Sequence, residues 1–264
     1  MTNYNTVKQK QRGKTLGRNG GVINMKIQTV FERTEKKYIL TMAQRRMLLK
    51  TIDEQIREDQ YGESTVCSLY FDTEDYRLIR TSLEKPAYKE KLRLRSYFTP
   101  KSDSNVFLEL KKKYNGVVYK RRQTLSYSQA MDYLNDGKLP NQSQIMKEID
   151  WTIGHYEGLK PKMFIAYDRT AFYSKTDENL RLTFDKNVRF RTEQLELAAG
   201  SFGEVILSPE LCIMEIKALY AMPLWLTEAL AKLNIYPGSF SKYGTAYTIT
   251  EERKTQRNGG KYCA

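Results

Sequence analysis

Histidine is all but missing from this chain. His155 is the single one among 264 residues, so a Ser–His–Asp triad or a histidine-built metal site would have to rest on it. It falls in a stretch that reads as helix. The three cysteines, Cys67, Cys212 and Cys263, form no CxxC pair. That excludes a cysteine-cluster zinc site and fits a reducing compartment. No apolar run approaches the roughly 18 residues of a membrane-spanning helix. No signal-peptide core is present, so a cytoplasmic location is expected. Neither GxGxxG nor GxxxxGK followed by Ser or Thr occurs, which leaves no support for a Rossmann or P-loop nucleotide site.

What the chain has in excess is positive charge. Lysine and arginine number 44 against 31 acidic residues, for a net +13. The surplus is uneven. Residues 1–26 hold six basic residues and no acidic one, with Gly20-Gly21 near the end. They have too little apolar surface to order themselves and read as a disordered basic arm. Residues 27–250 read as one folded domain, only moderately basic. Residues 251–264 read as a polar tail.

Periodicity gives an α+β chain without βαβ rhythm. Strands are expected at Val30–Leu40, Val66–Phe71, Lys89–Tyr97, Val106–Lys113 and Val117–Leu125. Others are expected at Met163–Thr170, Leu180–Asp185 and Leu211–Ala218, and a further strand pair between the Asp72–Asp75 turn and Pro86. Asn115-Gly116 is a two-residue hairpin signal. Thr41 and Gln44 form a capping box for a first helix. Ser126 or Ser128 starts a second that stops at Gly137. A third covers about Ser143–Tyr156, and Pro223 suits position N1 of a fourth.

The strands share one habit, clearest in Lys89-Glu90-Lys91-Leu92-Arg93-Leu94-Arg95. Side chains alternate across a strand, so Lys89, Lys91, Arg93 and Arg95 occupy one face and Leu92 and Leu94 the other. Cations spaced by about 7 Å repel one another unless they are solvated or a polyanion lies among them. A solvated, lysine-guarded edge explains one such strand. It does not explain Arg33/Glu35/Lys37, Glu109/Lys111/Lys113, Lys120/Arg122, Tyr167/Arg169, Arg181/Asp185 and Glu215/Lys217 as well. Facing inward, these rows would line a closed antiparallel barrel of about eight strands, with helices packed outside and room for one small ligand. Arginine suits phosphate through its bidentate fork. The isolated carboxylates suit Mg²⁺ or Mn²⁺.

At these residues the sequence resembles the VTC family, the polyphosphate polymerase domains of the triphosphate tunnel metalloenzyme (CYTH-like) superfamily. The likeness runs from about Phe31 to Tyr247. It rests on Glu35-Lys36-Lys37-Tyr38, Ser68-Leu69-Tyr70-Phe71-Asp72-Thr73, Lys91-Leu92-Arg93-Leu94-Arg95 and Leu108-Glu109-Leu110-Lys111. Tyr167-Asp168-Arg169, Arg181-Leu182-Thr183-Phe184-Asp185, Glu215-Ile216-Lys217 and Ser239-Phe240-Ser241-Lys242-Tyr243 follow in order. The resemblance implies a tunnel domain over 27–250 that transfers the terminal phosphate of ATP to inorganic polyphosphate. It implies that Lys37, Arg93, Arg95, Lys111, Arg169, Arg181 and Lys242 grip the reacting phosphates. Arg33, Lys91, Lys113, Lys120, Arg122, Tyr167, Lys217 and Ser241 would add substrate contacts. Glu215 would be the main ligand of Mn²⁺ or Mg²⁺, helped by Glu35 and Glu109. The superfamily opens with Glu-x-Glu-x-Lys, whereas here Arg33 replaces the first carboxylate. That favours holding a phosphate over activating water. A tunnel triphosphatase and a non-catalytic polyphosphate-binding module stay open as alternatives. A specific nucleic-acid partner is not expected, because the cations share faces with carboxylates instead of interleaving with stacking aromatics. A membrane partner stays possible.

Overall fold

Strands with one apolar and one charged face must bury the first, and here they do so under helices. The computed structural model describes residues 4–8, 11–16, 22–27, 30–219 and 221–259, with side chains from 35 to 219 and 221 to 256. The chain opens with strands β1 (Tyr4–Lys8), β2 (Gln11–Leu16), β3 (Val22–Ile27) and the long β4 (Val30–Thr41). Helix α1 (Met42–Ile52) leads through a short 3₁₀ turn to β5 (Ile56–Glu58) and β6 (Ser64–Asp72). Helix α2 (Arg77–Leu83) precedes the meander β7 (Tyr88–Tyr97), β8 (Asn105–Tyr114) and β9 (Val117–Ser126). Helices α3 (Tyr127–Asp136) and α4 (Gln144–His155) follow, then β10 (Lys160–Ser174), β11 (Arg181–Arg191), β12 (Glu204–Val205) and β13 (Leu211–Ala218). Helix α5 (Leu224–Lys232), the short β14 (Pro237–Gly238) and helix α6 (Lys242–Gly259) end the described chain.

The main sheet is antiparallel and runs β1-β4-β13-β11-β10-β6-β7-β8-β9. Strands β5, β12 and β14 attach to its side, and β2 pairs with β3 separately. The expected barrel is therefore met in part. The sheet is antiparallel, its charged rows share one face and α1, α3, α4 and α5 lie outside, whereas α2 and α6 pack on the inner face. Among the described residues, however, no ladder joins β9 back to β1, although the two strands adjoin, so closure of the barrel is not shown. It is also larger than the eight strands expected, because short side strands and the N-terminal segments carry too little alternation to be read.

The local signals explain most elements. Thr41 Oγ1 accepts from the Gln44 amide and Gln44 Oε1 accepts from Thr41 N, the capping box that starts α1. Ser126 and Gln129 repeat the motif at α3, which ends on Gly137 at φ 69°. Asn115 (φ 44°) and Gly116 (φ 86°) make the tight β8–β9 turn that both residue types tolerate. Pro223 caps α5 from outside, one position earlier than expected.

One expectation fails, and two segments differ in detail. Strands β1, β2 and β3 fall in the stretch read as a disordered arm. The side chains there lie outside the described residues. The strand pair expected before Pro86 is helix α2. Its first amides are held by Asp72, whose carboxylate accepts from Thr73 N, Leu78 N and Ile79 N. That cap reaches back six residues and has no local pattern. The polar tail from 251 continues α6 to Gly259, and residues 260–264 lie outside the described residues.

Two apolar cores lie on the outer, helix-covered side of the sheet. Under α1 and α5 sit Tyr38, Leu40, Leu48, Leu182, Met214 and Leu226. Under α3 and α4 sit Leu92, Leu94, Leu108, Leu110, Ala130 and Ile149. These are the leucines expected opposite the cations. A third core lies on the concave side. There Met163, Ile165, Val188, Phe190 and Ile213 pack with Tyr243 and Ala246 of α6 and Ile79 of α2.

Candidate functional site

The inner face of the sheet changes character along its strands. On β10, Met163 and Ile165 belong to the third core, and Tyr167 and Arg169 further along line a cavity. On β13, Ile213 is core, whereas Glu215 and Lys217 line the cavity. The cavity holds ≈ 950 Å³. Its walls include Lys37, Lys91, Arg93, Arg95, Lys111, Lys120, Arg169, Lys217 and Lys242, with Glu35, Glu215, Tyr167 and Ser241 among them. Six strands and the start of α6 thus bring most of the proposed phosphate contacts into one space.

Two buried carboxylates hold the cations in place. Glu109, 1% exposed, accepts from Arg93 Nε at 2.7 Å, Arg122 Nε at 2.6 Å and Lys120 Nζ at 2.7 Å, with Arg95 Nε 3.9 Å away. Burial alone would raise its pKa; Arg93, Arg95 and Lys120 outweigh this and lower it. Asp185, equally buried, takes a bidentate fork from Arg169 (2.6 and 2.8 Å) and Lys242 Nζ at 2.6 Å. It too is held below its usual range, the two cations overcoming burial. With its oxygens so engaged, Glu109 is placed to orient cations. Asp185 shares a strand face with Arg181, but nothing in its spacing marked it as an anchor.

Glu35 and Glu215 form the other carboxylate group. Their strands β4 and β13 pair so that Glu215 faces Lys37 and Lys217 faces Glu35. Lys217 Nζ lies 3.7 Å from Glu215 and 3.9 Å from Glu35, and Arg169 Nη2 lies 3.9 Å from Glu215. Burial, and then the hydrogen bond and charge of Glu215, raise the Glu35 pKa. Burial opposes ionisation of Glu215, but Glu35, Lys217, Lys37 and Arg169 hold it well below its usual value. Two neighbouring carboxyls form an oxygen-only donor set suited to a hard divalent cation. Among the described residues there is no cluster of three or more His, Cys, Asp or Glu side chains, so a ligand's own oxygens would complete such a shell.

Aromatic rings fill the floor between the cations. Tyr70 Oη accepts from Arg93 Nη1 at 3.0 Å, and its ring stacks on Tyr243 at 4.6 Å. Tyr167 Oη accepts from Arg95 Nη2 at 3.2 Å, and Lys242 Nζ lies 4.4 Å over its ring. Burial would raise the Tyr70 pKa, yet Arg93, Arg95 and Lys91 bring it down to about 8. Burial brings Lys91 down to about 8 as well, and likewise Lys120, in spite of Glu109. Tyr70 and Tyr243 were not among the expected site residues; only their place in the Tyr70-Phe71-Asp72 and Ser241-Lys242-Tyr243 runs could have pointed to them.

Three expected contacts stand apart from the cavity walls. Arg181 lies on the same face but reaches Asp59 at 3.7 Å and covers the Tyr173 ring. Lys113 sits near the β8–β9 turn, opposite Lys89. Arg122 is drawn to Glu109 and stacks over Phe107 at 4.6 Å. Arg33 lies outside the residues whose side chains are described. Ser241 caps α6 from the cavity wall, its Oγ accepting from Gly244 N at 3.1 Å.

A curved antiparallel sheet carrying a cationic, carboxylate-ordered cavity on its concave face is the class that fold and site define. The VTC domain family matches residues 32–250, and the chain belongs to that family. Over 163 residues it is 27% identical to vacuolar transporter chaperone complex subunit 4 of Schizosaccharomyces pombe, a match that takes in 53% of this chain and 22% of that protein. The chain thus spans about a fifth of that relative's length. Two solved structures are similar in fold. A candidate adenylate cyclase from Bacillus halodurans has a TM-score of 0.49 at 15% identity, covering 78% of this chain and 92% of its own. A candidate adenylyl cyclase from Hippeastrum, described as having a dominant triphosphatase activity, has a TM-score of 0.48 at 15% identity, covering 81% and 94%. Among the described residues no helix is long and apolar enough to cross a membrane.

Proposed function

We propose that this domain is a polyphosphate polymerase that moves the terminal phosphoryl group of ATP onto the end of an inorganic polyphosphate chain. The observation that carries the reading is the cavity itself, where cations from β4, β7, β8, β9, β10, β13 and α6 converge around one carboxylate pair. In the proposed step, a terminal phosphate oxygen of the chain bonds to the γ-phosphorus of ATP. The bond to the β–γ bridging oxygen breaks, and ADP leaves with that electron pair. The acceptor oxygen is already ionised near neutral pH, so no strong general base is needed. The main demand is charge neutralisation on the transferring group. In this reading Arg93, Arg95, Lys111 and Arg169 supply it, Lys37 and Lys242 position the phosphates, and Lys91, Lys120, Lys217, Tyr167 and Ser241 add contacts. Glu109 and Asp185 keep those cations extended into the cavity. Glu215 and Glu35 would hold Mg²⁺ or Mn²⁺. Such an ion would supply charge neutralisation to the phosphate oxygens.

The similarity to a subunit of a transporter chaperone complex supports partner proteins, membrane-bound ones included, as recipients of the product. Incubating the protein with ATP and Mn²⁺, then staining a gel for polyphosphate and assaying free phosphate, tests the reading. Long chains with ADP are expected. Free phosphate without chains would replace it with the triphosphatase. Polyphosphate bound without turnover would leave a binding module.

A further inference from the structure

Two cations of the cavity wall depend on more than their anions for their place. Arg93 Nε and Nη2 both reach the same oxygen, Glu109 Oε2, at 2.7 Å. A guanidinium held at one oxygen can still swing about it. The second point that stops the swing is Tyr70, whose Oη accepts from Arg93 Nη1 at 3.0 Å. Tyr70 is held in turn by its stack on the Tyr243 ring. Lys242 reaches Asp185 Oδ2 at 2.6 Å from the end of a flexible four-carbon stem, so its place depends on where its helix sits. It is the first residue of α6, and Tyr243 is the second. Tyr243 Oη donates to Asp72 Oδ2 at 2.8 Å, which ties that first turn to the end of β6. Asp72 is a firm anchor. It is fully buried and also accepts from Thr73 N, Leu78 N and Ile79 N. One side chain, 2% exposed, thus joins a rigid carboxylate to two cations of the cavity.

We infer that Tyr243 is a positioning residue for the phosphate site. Its hydroxyl, tied to Asp72, sets Lys242, and its ring, acting through Tyr70, sets Arg93. The inference rests on the proposed phosphate site and adds what holds two of its cations in register.

The test is a pair of double-mutant cycles, read by calorimetric titration of the intact protein with tripolyphosphate at a temperature where melts show each variant folded. Tyr243→Phe removes only the tie to Asp72, which keeps its three amide donors. It should weaken binding about tenfold, the scale of one lost hydrogen bond to a charged group. In a Lys242→Ala background the same change should cost less than about twofold, because it acts through Lys242. Tyr243→Leu also removes the ring and should cost about a further fivefold, the scale of a lost aromatic pair. That further loss should vanish in an Arg93→Ala background. Losses that multiply undiminished in both backgrounds would overturn the inference and leave the phosphate site standing, with Tyr243 serving packing or touching phosphate itself. Unchanged binding in Tyr243→Phe and Tyr243→Leu would overturn it as well. Should Tyr243→Leu not fold, the Tyr243→Phe cycle decides alone. If the unaltered protein does not bind tripolyphosphate, the phosphate site and the inference fall together.

Discussion

Two halves of one concave face can be compared directly, because they lie on the same strands. On β10, one residue separates Ile165, packed against the α6 core, from Tyr167 on the cavity floor; on β13, one separates Ile213 from Glu215. The apolar half is held by close packing, and each side chain there meets others of its kind. The cationic half is held by two buried anions, Glu109 and Asp185, that keep like charges from driving one another apart. The first half stabilises the fold and the second stores unspent charge for a ligand. A change in one half should therefore read out in stability, and in the other chiefly in binding and turnover.

The largest effect expected is at Asp185, where the comparison is sharpest. Asp185→Ala leaves Arg169 and Lys242 buried without their anion and should cost about 3–5 kcal/mol of stability. Added tripolyphosphate should recover part of that loss, because it replaces the missing charge; thermal melts with and without it decide the matter. A loss that tripolyphosphate cannot touch would mean that Asp185 serves packing alone. Next, Arg93→Ala or Arg95→Ala should lower phosphoryl transfer by about a hundredfold or more, in line with the loss of one oriented donor to a charged transition state. Lys112→Ala on the opposite face, where Lys112 lies near Glu90 and Trp151, should leave the rate within about twofold. Equal losses at Arg93 and Lys112 would undo the assignment of faces.

The pH response comes third. Lys91 and Lys120 have pKa values pushed down to about 8 by burial, and a bound polyanion raises them again. Both are charged below pH 7 with or without ligand, so affinity should be flat there. Above that, binding must take up protons, and affinity for tripolyphosphate should fall by about tenfold between pH 7 and 9. Tyr70, whose phenol also loses its proton near 8, adds an anion to the site and acts in the same direction. Titrations at three pH values measure the slope, and Lys91→Arg should flatten it. A flat profile in the unaltered protein would remove these lysines from the binding step. The smallest effect belongs to the apolar half. Ile165→Val should cost about 1 kcal/mol of stability by denaturant unfolding, with tripolyphosphate affinity unchanged.

The charged face itself could be read from alternation, because a period of two is a local property of a strand. Lys91, Arg93 and Arg95 against Leu92 and Leu94 needed no knowledge of the rest of the chain. The anchors could not be read that way. Glu109 looks like a metal helper by type and position, and only the approach of β7 and β9 on either side shows it surrounded by cations. The last two arginines of β11 show the same limit. Simple alternation from Arg181, Thr183 and Asp185 would carry Arg189 and Arg191 inward too. The bulge between β10 and β11, with Asn187 at φ 51°, shifts the pattern by one and turns both away from the cavity. Arg189 then meets Asp168, and Arg191 lies between Phe164 and Phe202, donating to loop carbonyls.

By itself, then, the sequence determined which residues share a strand face, where α1, α3 and α4 begin, and that the protein's inner surface would be cationic. These follow from backbone geometry over a few residues. The tertiary structure decided how far the cationic surface extends before α6 fills it, which acids serve as anchors and which remain free to meet a cation, and that Asp72 would start a helix five residues downstream. Each of those depends on segments far apart in the chain coming within hydrogen-bonding distance, and no local period encodes that.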